Sequence, residues 1–307
     1  TMLLMQNNLK PQFGKPALLI VGCGDVGRRL LPSLTKVFKV FALTSQPERV
    51  QELRLAGATP VVGNLDQKHT LKRLASLASI VVHLAPPNPQ GSSDLRTKKL
   101  LSILSQGGRV CRFVYISTSG VYGDCQGAWV SEQTTPAPKS DRGRRRLNAE
   151  NQIRAWAIAA GVNASILRVP GIYAGNRLPI DRLEAGTPAL SADEDVYTNH
   201  IHADDLAKLI EMAIFRAQPQ RVINASDNSG LKMGEYFDLV ADFYGVERPP
   251  RVSREQLKGQ VSPMMLSFMQ ESRRLSNTRI AELGYSLRYP TVESFLAKTS
   301  KEALAKI

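Results

Sequence analysis

The sequence predicts an α/β protein built on a doubly wound, mainly parallel sheet, with a smaller region at its C-terminal end. Two observations carry this. Short apolar, β-branched runs alternate with helix-like stretches through residue 170. The first of these runs, residues 18–21, feeds into the spaced glycines Gly22, Gly24 and Gly27 at the start of a helix-like segment. A length of 307 residues with 43% hydrophobic content is enough to cover both faces of such a sheet.

The elements follow in order. A strand over 17–21 leads to a helix over 25–36, and one over 40–43 to a helix over 47–56. Residues 59–62 precede a short helix over 67–75, and 80–84 precede a helix over 93–106. A fifth strand over 112–117 is followed by a loop, a long helix over 140–160 and a strand over 164–169. Strand–helix alternation requires crossovers that place all strand C-termini on one edge, where ligands bind. After Pro170 the rhythm loosens, and residues 171–200 read as loops. A helix over 203–216, a strand over 221–225 and a helix over 232–244 come next. Residues 246–276 are polar and basic around one apolar patch at 263–269, and a helix over 291–305 closes the chain.

The glycine turn points to a dinucleotide. Gly22 allows the tight turn, Gly24 lets backbone approach a pyrophosphate, and Gly27 lets the helix pack on the strand. The helix N-terminus at Asp25 and Val26 adds free N–H groups and partial positive charge. NAD-binding chains place an acid at the end of the second strand, about 20 residues past the first glycine, to bind the adenosine ribose. Here Thr44 and Ser45 stand at that end and Arg49 follows. A carboxylate would repel a 2′-phosphate, whereas these groups accept one, so NADP is favoured, with Glu48 leaving NAD open. Asp66 is placed either to approach the adenine edge or to cap a helix. Leu84 and Ala85 end the fourth strand on the same edge. The domain reading is a leader over 1–15 outside the fold, a dinucleotide-binding core over 16–170, and a substrate-side region over 171–307 with elements returning to the core.

Composition bounds the rest. The three cysteines Cys23, Cys111 and Cys125 form no C-x-x-C pair, which suits a reducing cytoplasm. Cys23, inside the glycine turn, is either a thiol sensitised by the helix N-terminus or a small residue that fits. No run approaches a membrane span, and residues 1–15 lack the pattern of a secretory signal. The net charge of +13 attracts anions, and Arg142, Arg144, Arg145 and Arg146 are its densest cluster. Without interleaved aromatic residues or a recognition motif, a solvated helix face or a pocket for an anionic cofactor explains the charge at least as well as nucleic acid does. The four histidines show no metal-ligand spacing, and no G-x-S-x-G elbow is present.

Several segments together resemble the extended short-chain dehydrogenases/reductases, the NAD-dependent epimerase/dehydratase family. They are VGCGDVG at 21–27, GNLD at 63–66, VVHLAPP at 81–87, FVYISTSGVYG at 113–123, ILRVPGIYAG at 166–175, NHIHADDLA at 199–207 and LGYSLRYPTVESFL at 283–296. They fall in the family's order over almost the whole chain, and the glycine spacing is similar to that of its atypical subgroup. The resemblance implies a Rossmann fold, NADP or NAD as cofactor, and a polar carbonyl or hydroxyl substrate such as a nucleotide-sugar. It leaves two options for assembly: a homodimer paired through the long helix, as in many relatives, or copies kept apart by the basic start of that helix.

The resemblance also isolates a departure. The family places Tyr-x-x-x-Lys beyond a Ser or Thr, and Thr118 matches that hydroxyl. Aligning Gly143, Ala149 and Glu150 puts Arg142 where the tyrosine belongs and Arg146 where the lysine belongs. Arginine cannot shuttle a proton near neutrality, but it donates hydrogen bonds and stabilises negative charge. Arg146 is thus expected to keep a contact to the nicotinamide ribose. Arg142 is expected either to bind an anionic substrate or to line the cleft. Tyr122 is the candidate substitute acid, with packing as its other reading. His200 and His202 are either proton shuttles or structural residues. Asp204 and Asp205 are expected to satisfy the first amides of their helix. Tyr197 and Asn199 are possible pocket residues, and His83 reads as a core histidine. Two functions stay open: an oxidoreductase or epimerase/dehydratase-like enzyme, or an inactive NADP-binding sensor or partner-binding module.

Overall fold

The computed structural model describes residues 14–299, so the expected leader lies almost wholly outside the described residues, as does the end of the helix expected over 291–305. The central sheet has seven strands: β1 (Ala17–Val21), β2 (Lys39–Thr44), β3 (Thr59–Val62), β4 (Ile80–His83), β5 (Arg112–Thr118), β6 (Asn163–Val169) and β7 (Arg221–Asn224). Their order is β3-β2-β1-β4-β5-β6-β7, and every neighbouring pair is parallel. The order reverses at β1, where Val21 stands in register with Leu43 of β2 on one side and His83 of β4 on the other. Such a reversal leaves a crevice at the strand C-termini.

Both faces are covered, as parallel sheets require. On one face α1 (Asp25–Val37) contributes Leu30, Leu31 and Leu34 to a fully apolar cluster. The other face packs Leu100 and Leu104 of α2 (Leu95–Gly107) and Ile153 and Ala157 of α3 (Asp141–Ala160). Helix α4 (Ala203–Arg216) returns beside α1 and adds Leu206, Leu209 and Ile210 to the first cluster. A third cluster joins Tyr173, Phe295 and the Tyr236 and Phe237 pair of α5 (Met233–Tyr244), forming the C-terminal region's own core.

The local signals explain these bounds. Ser140 caps α3 by accepting the Gly143 N–H at 3.3 Å, and Gly161, at φ +66°, ends it in the left-handed conformation. The expected helix over 47–56 splits into a tight turn at Pro47–Arg49 and a helix at Val50–Leu55, and the one over 67–75 is a 3₁₀ turn at Lys68–Leu74. Residues 171–200 are more ordered than a loop reading allows. Gly171–Tyr173 and His200–His202 pair as parallel strands, with Gly171 opposite His200 and Tyr173 opposite His202. The apolar patch after residue 260 is the short helix Pro263–Phe268, capped by Ser262. Strands of three residues and helices of six are too short for sequence periodicity to reveal. No helix among the described residues is long and apolar enough to cross a membrane.

Candidate functional site

The crevice begins at the glycine turn. Gly22 has φ +87°, and a methyl group there would lie 2.6 Å from the Ala85 nitrogen. That close approach is fixed by the Leu84 and Ala85 N–H groups, which both donate to the Val21 carbonyl at 2.8 and 3.0 Å. A methyl on Gly24 would meet nothing within 4 Å, so backbone at the start of α1 faces open space. A methyl on Gly27 would stand 3.1 Å from Cys23 Sγ and 3.4 Å from Leu84 Cδ1, the helix–strand contact expected of it. The turn therefore fits a dinucleotide's pyrophosphate: strained where it must be tight, and bare where phosphate would sit. Burial pushes the Cys23 thiol up to about 11, so it is a packing residue and not an activated thiol.

Charges around this crevice are partly paired. Asp25, in the first turn of α1, is flanked by Arg29 at 3.2 Å and Arg177 at 3.3 Å, and these arginines hold it below the usual carboxylate range against the opposing effect of burial. Val26 packs against the core beneath the turn. At the end of β2, the Arg49 guanidinium donates to the Cys23 carbonyl at 2.9 Å, and so lies across the glycine loop. Glu52 bridges Arg49 and Arg28 at 3.2 and 2.9 Å. Ser45 is exposed beside them. Thr44 is committed elsewhere, because its buried hydroxyl accepts the Gln46 N–H at 3.1 Å and steadies the turn. Asp66 caps no helix: Gln67 holds that position, and the carboxylate is forked by Arg96 at 2.6 and 2.8 Å.

The segment after Ala85 borders a cavity of about 1080 Å³. Pro86 and Pro87 form one wall, while Thr118, Ser119 and Gly120 lie at the end of β5. Thr118 Oγ1 accepts the Gly120 N–H at 3.2 Å, which leaves its own O–H free to donate. Arg146 donates to the Ile116 carbonyl at 3.0 Å and the Tyr115 hydroxyl at 3.1 Å through one nitrogen, so its remaining donors are held in place beside β5. Arg142 stacks on Phe268, its guanidinium carbon 3.8 Å from the ring centre. Burial lowers its pKa, with Glu271 the main opposing charge.

A buried ion pair supports this floor. Glu150 of α3 is fully buried, takes both Nε and Nη2 of Arg168 at 3.1 and 2.8 Å, and accepts the Ser117 hydroxyl at 2.6 Å. It ties α3, which carries Arg142 and Arg146, to β5 and β6 directly behind Thr118.

Several expected residues sit elsewhere. Tyr122 is 1% exposed, donates to Asn224 Oδ1 at 2.8 Å and lies under Arg168 at 4.7 Å; it packs behind the cavity and does not line it. This corrects its placement as the substitute acid. His202 caps α4, its Nδ1 accepting the Asp204 N–H at 3.2 Å, and burial pushes its pKa down to about 4. The aspartates therefore do other work. Asp204 pairs with Arg29 at 2.5 Å, and the fully buried Asp205 accepts the Tyr285 hydroxyl and the Arg288 and Tyr289 N–H groups at 2.6, 2.7 and 2.9 Å. His83 is a buried core histidine bonded to Thr97 at 3.0 Å. His200, Tyr197 and Asn199 do line the cavity; burial pushes His200 down to about 3, so its ring is neutral. Phe268, Glu271 and Arg273 also line it. Phe268 comes from the apolar patch over 263–269 and the other two from the polar, basic stretch around it, and no spacing links them to β5. Among the described residues no cluster of His, Cys, Asp or Glu suits a metal ion.

Residues 22–216 match the family model described as NAD(P)H-binding. The chain belongs to this NAD(P)H-binding family. It is similar to the protein YeeZ of Escherichia coli strain K12, 25% identical over 282 residues that cover 88% of this chain and 95% of YeeZ. A conserved Silicibacter pomeroyi protein shares its fold with a TM-score of 0.77 and 26% identity, covering 95% of this chain and 99% of that one. UDP-glucose 4-epimerase of Thermotoga maritima does so with a TM-score of 0.75 at 19% identity, over 94% and 99% of the two chains. The doubly wound Rossmann fold expected from the sequence is thus that of the epimerase/dehydratase-type short-chain dehydrogenases/reductases, and NADP or NAD is its cofactor.

Proposed function

We propose that the protein is an NADP(H)-dependent oxidoreductase acting on a polar carbonyl or hydroxyl group, with Arg142 and Arg146 in place of the family's acid–base pair. The observation that supports this best is a cavity lined by Thr118, Arg142 and Arg146 that starts at Pro86, one residue past the Ala85 that closes on Gly22. The bound nicotinamide supplies or accepts hydride. Gly22, Gly24 and the start of α1 hold its pyrophosphate, and Ser45 and Arg49 receive the 2′-phosphate. Leu84 and Ala85 shape the crevice between those ends. The free donors of Arg146 hold the ribose hydroxyls.

Thr118 donates its O–H to the substrate oxygen, and a proton reaches it from water in the open cavity. Arg142 stabilises negative charge on the substrate without giving up its own proton. The UDP-glucose named for the Thermotoga relative makes nucleotide-sugars one class to test. Transfer of label from deuterated NADPH across carbonyl compounds and sugar nucleotides tests the reading. Turnover that falls at least about 100-fold in Thr118→Ala supports it, since one such donor contributes that much. Silence across the panel with tight NADPH binding favours the sensor instead.

A further inference from the structure

We propose that the cavity is built for a substrate that carries a carboxylate on, or one carbon away from, the reacting carbonyl, and that Arg142 is the residue that holds this carboxylate. The inference rests on the oxidoreductase reading and narrows its substrate class.

The first argument is charge. Five arginines line the cavity, Arg142, Arg145, Arg146, Arg177 and Arg273, against two acids, Asp141 and Glu271. Most of these cations are accounted for within the protein. Arg177 meets Asp25, Arg145 donates to the Gly91 carbonyl at 2.6 Å, and Arg273 meets Glu271 at 3.0 Å and the Gly123 carbonyl at 2.7 Å. Glu271 is itself taken by Arg273 and by the Ser140 hydroxyl at 3.5 Å. Arg142 alone of the five forms no hydrogen bond or ion pair with the described residues; it lies over the face of Phe268 and has Glu271 only as a neighbouring charge. Its nitrogens reach the open cavity and are free to take an anionic ligand there.

A second observation is independent of the first. Arg273 is 8% exposed, and its Nε is a buried donor with no partner, although the same side chain lines the cavity. Unmet buried donors of this kind are uncommon in folded proteins. Arg142 and one nitrogen of Arg273 therefore lack acceptors on the protein side.

Position fixes the ligand class. A methyl group placed on Gly120 would lie 3.5 Å from Thr118 Oγ1 and 3.9 Å from Arg142 Nη2, so the hydroxyl and the guanidinium flank one small space. An oxygen held by Thr118 and an anion held by Arg142 then belong to groups no more than a few bonds apart, on adjacent carbons or one carbon removed. A distant diphosphate does not meet that demand, whereas the carboxylate of a 2-oxo or 3-oxo acid does. Stacking on Phe268 fixes the guanidinium plane from its face and leaves the edge donors to form a fork to two carboxylate oxygens. The same short helix brings Met264 and Met265 to the cavity, giving the rest of the substrate an apolar wall.

The test uses the full chain saturated with NADPH and four probes: oxamate, acetoacetate and their neutral counterparts oxamide and acetoacetamide. Binding is read by calorimetry and by NADPH fluorescence. The expected result is binding of one or both carboxylates, none of the amides, and at least about 30-fold weaker carboxylate binding in Arg142→Gln. NADPH affinity should be unchanged in that variant, which shows that it is folded. Arg142→Lys should recover only part of the loss, because an ammonium cannot make the fork. Equal binding of acids and amides, no binding of any probe, full retention in Arg142→Gln, or sulfate binding as tightly as the carboxylates would each overturn the proposal. Failure of NADPH itself to bind would instead strike the oxidoreductase reading beneath it.

Discussion

Replacing Glu150 with alanine tests how the cavity floor is held. Glu150 is fully buried and Arg168 is 2% exposed, so neither group is rescued by solvent. The substitution removes both bonds to Arg168, strands the Ser117 hydroxyl, and leaves a guanidinium whose Nη1 already has no partner. Arg154, 3.5 Å from the same carboxylate, is half-exposed and can turn to water. Breaking one side of a buried pair costs about 3–5 kcal/mol. At roughly 2 °C per kcal/mol for a chain of this size, the melting temperature should fall by about 6–10 °C. Calorimetry and urea unfolding with and without NADPH measure it. The double variant Glu150→Leu with Arg168→Met should recover most of the loss, because two apolar groups need no partners. A single-variant loss below about 1 kcal/mol, or a double variant no more stable than the single, would refute the reasoning.

Three further outcomes are expected. Gly22→Ala should abolish NADPH binding and cost about 1–3 kcal/mol, because a methyl there would strike Ala85 at a φ of +87°. Arg49→Ala should weaken NADPH by about tenfold or more while leaving NADH nearly unchanged, by fluorescence titration. Asp227 is 7% exposed, and its burial lifts its pKa to about 7. The folded state therefore keeps a proton that the unfolded chain releases near pH 4, and stability falls as pH rises through that interval. Asp227→Asn removes this dependence. Its stability relative to the parent should climb by up to about 4 kcal/mol between pH 4 and 8, and a gap that does not vary with pH would contradict the assignment.

Much of this molecule can be read from its residues, for identifiable reasons. The strand Ala17–Val21 lies where its apolar run puts it, because a strand buried between helices must be apolar along its length, and Thr59–Val62 matches its run even though it is the half-exposed edge strand. The roles of Gly22, Gly24 and Gly27 follow from local geometry alone. Arg142 and Arg146 were legible because α3 keeps the family's spacing through Gly143 and Glu150. What remained hidden depends on distance. Phe268 and Arg273 reach the cavity from more than a hundred residues beyond Thr118, and no local period marks them. Tyr122 looked available because it follows β5 closely, yet the partner that claims its hydroxyl, Asn224, comes from β7 on the far edge of the sheet. Thr44 likewise stands where a contact to the 2′-phosphate was expected, but its own turn takes its hydroxyl.

The carboxylate of Asp205 has its own consequence for how the chain matures. It sits at the front of α4, and all three of its donors arrive from residues 285–289. Until those residues arrive, Asp205 has only water to pair with, although every strand of the central sheet is already complete. Truncation ahead of Tyr285 would thus keep the scaffold and strip the front of α4 of the segment that latches it.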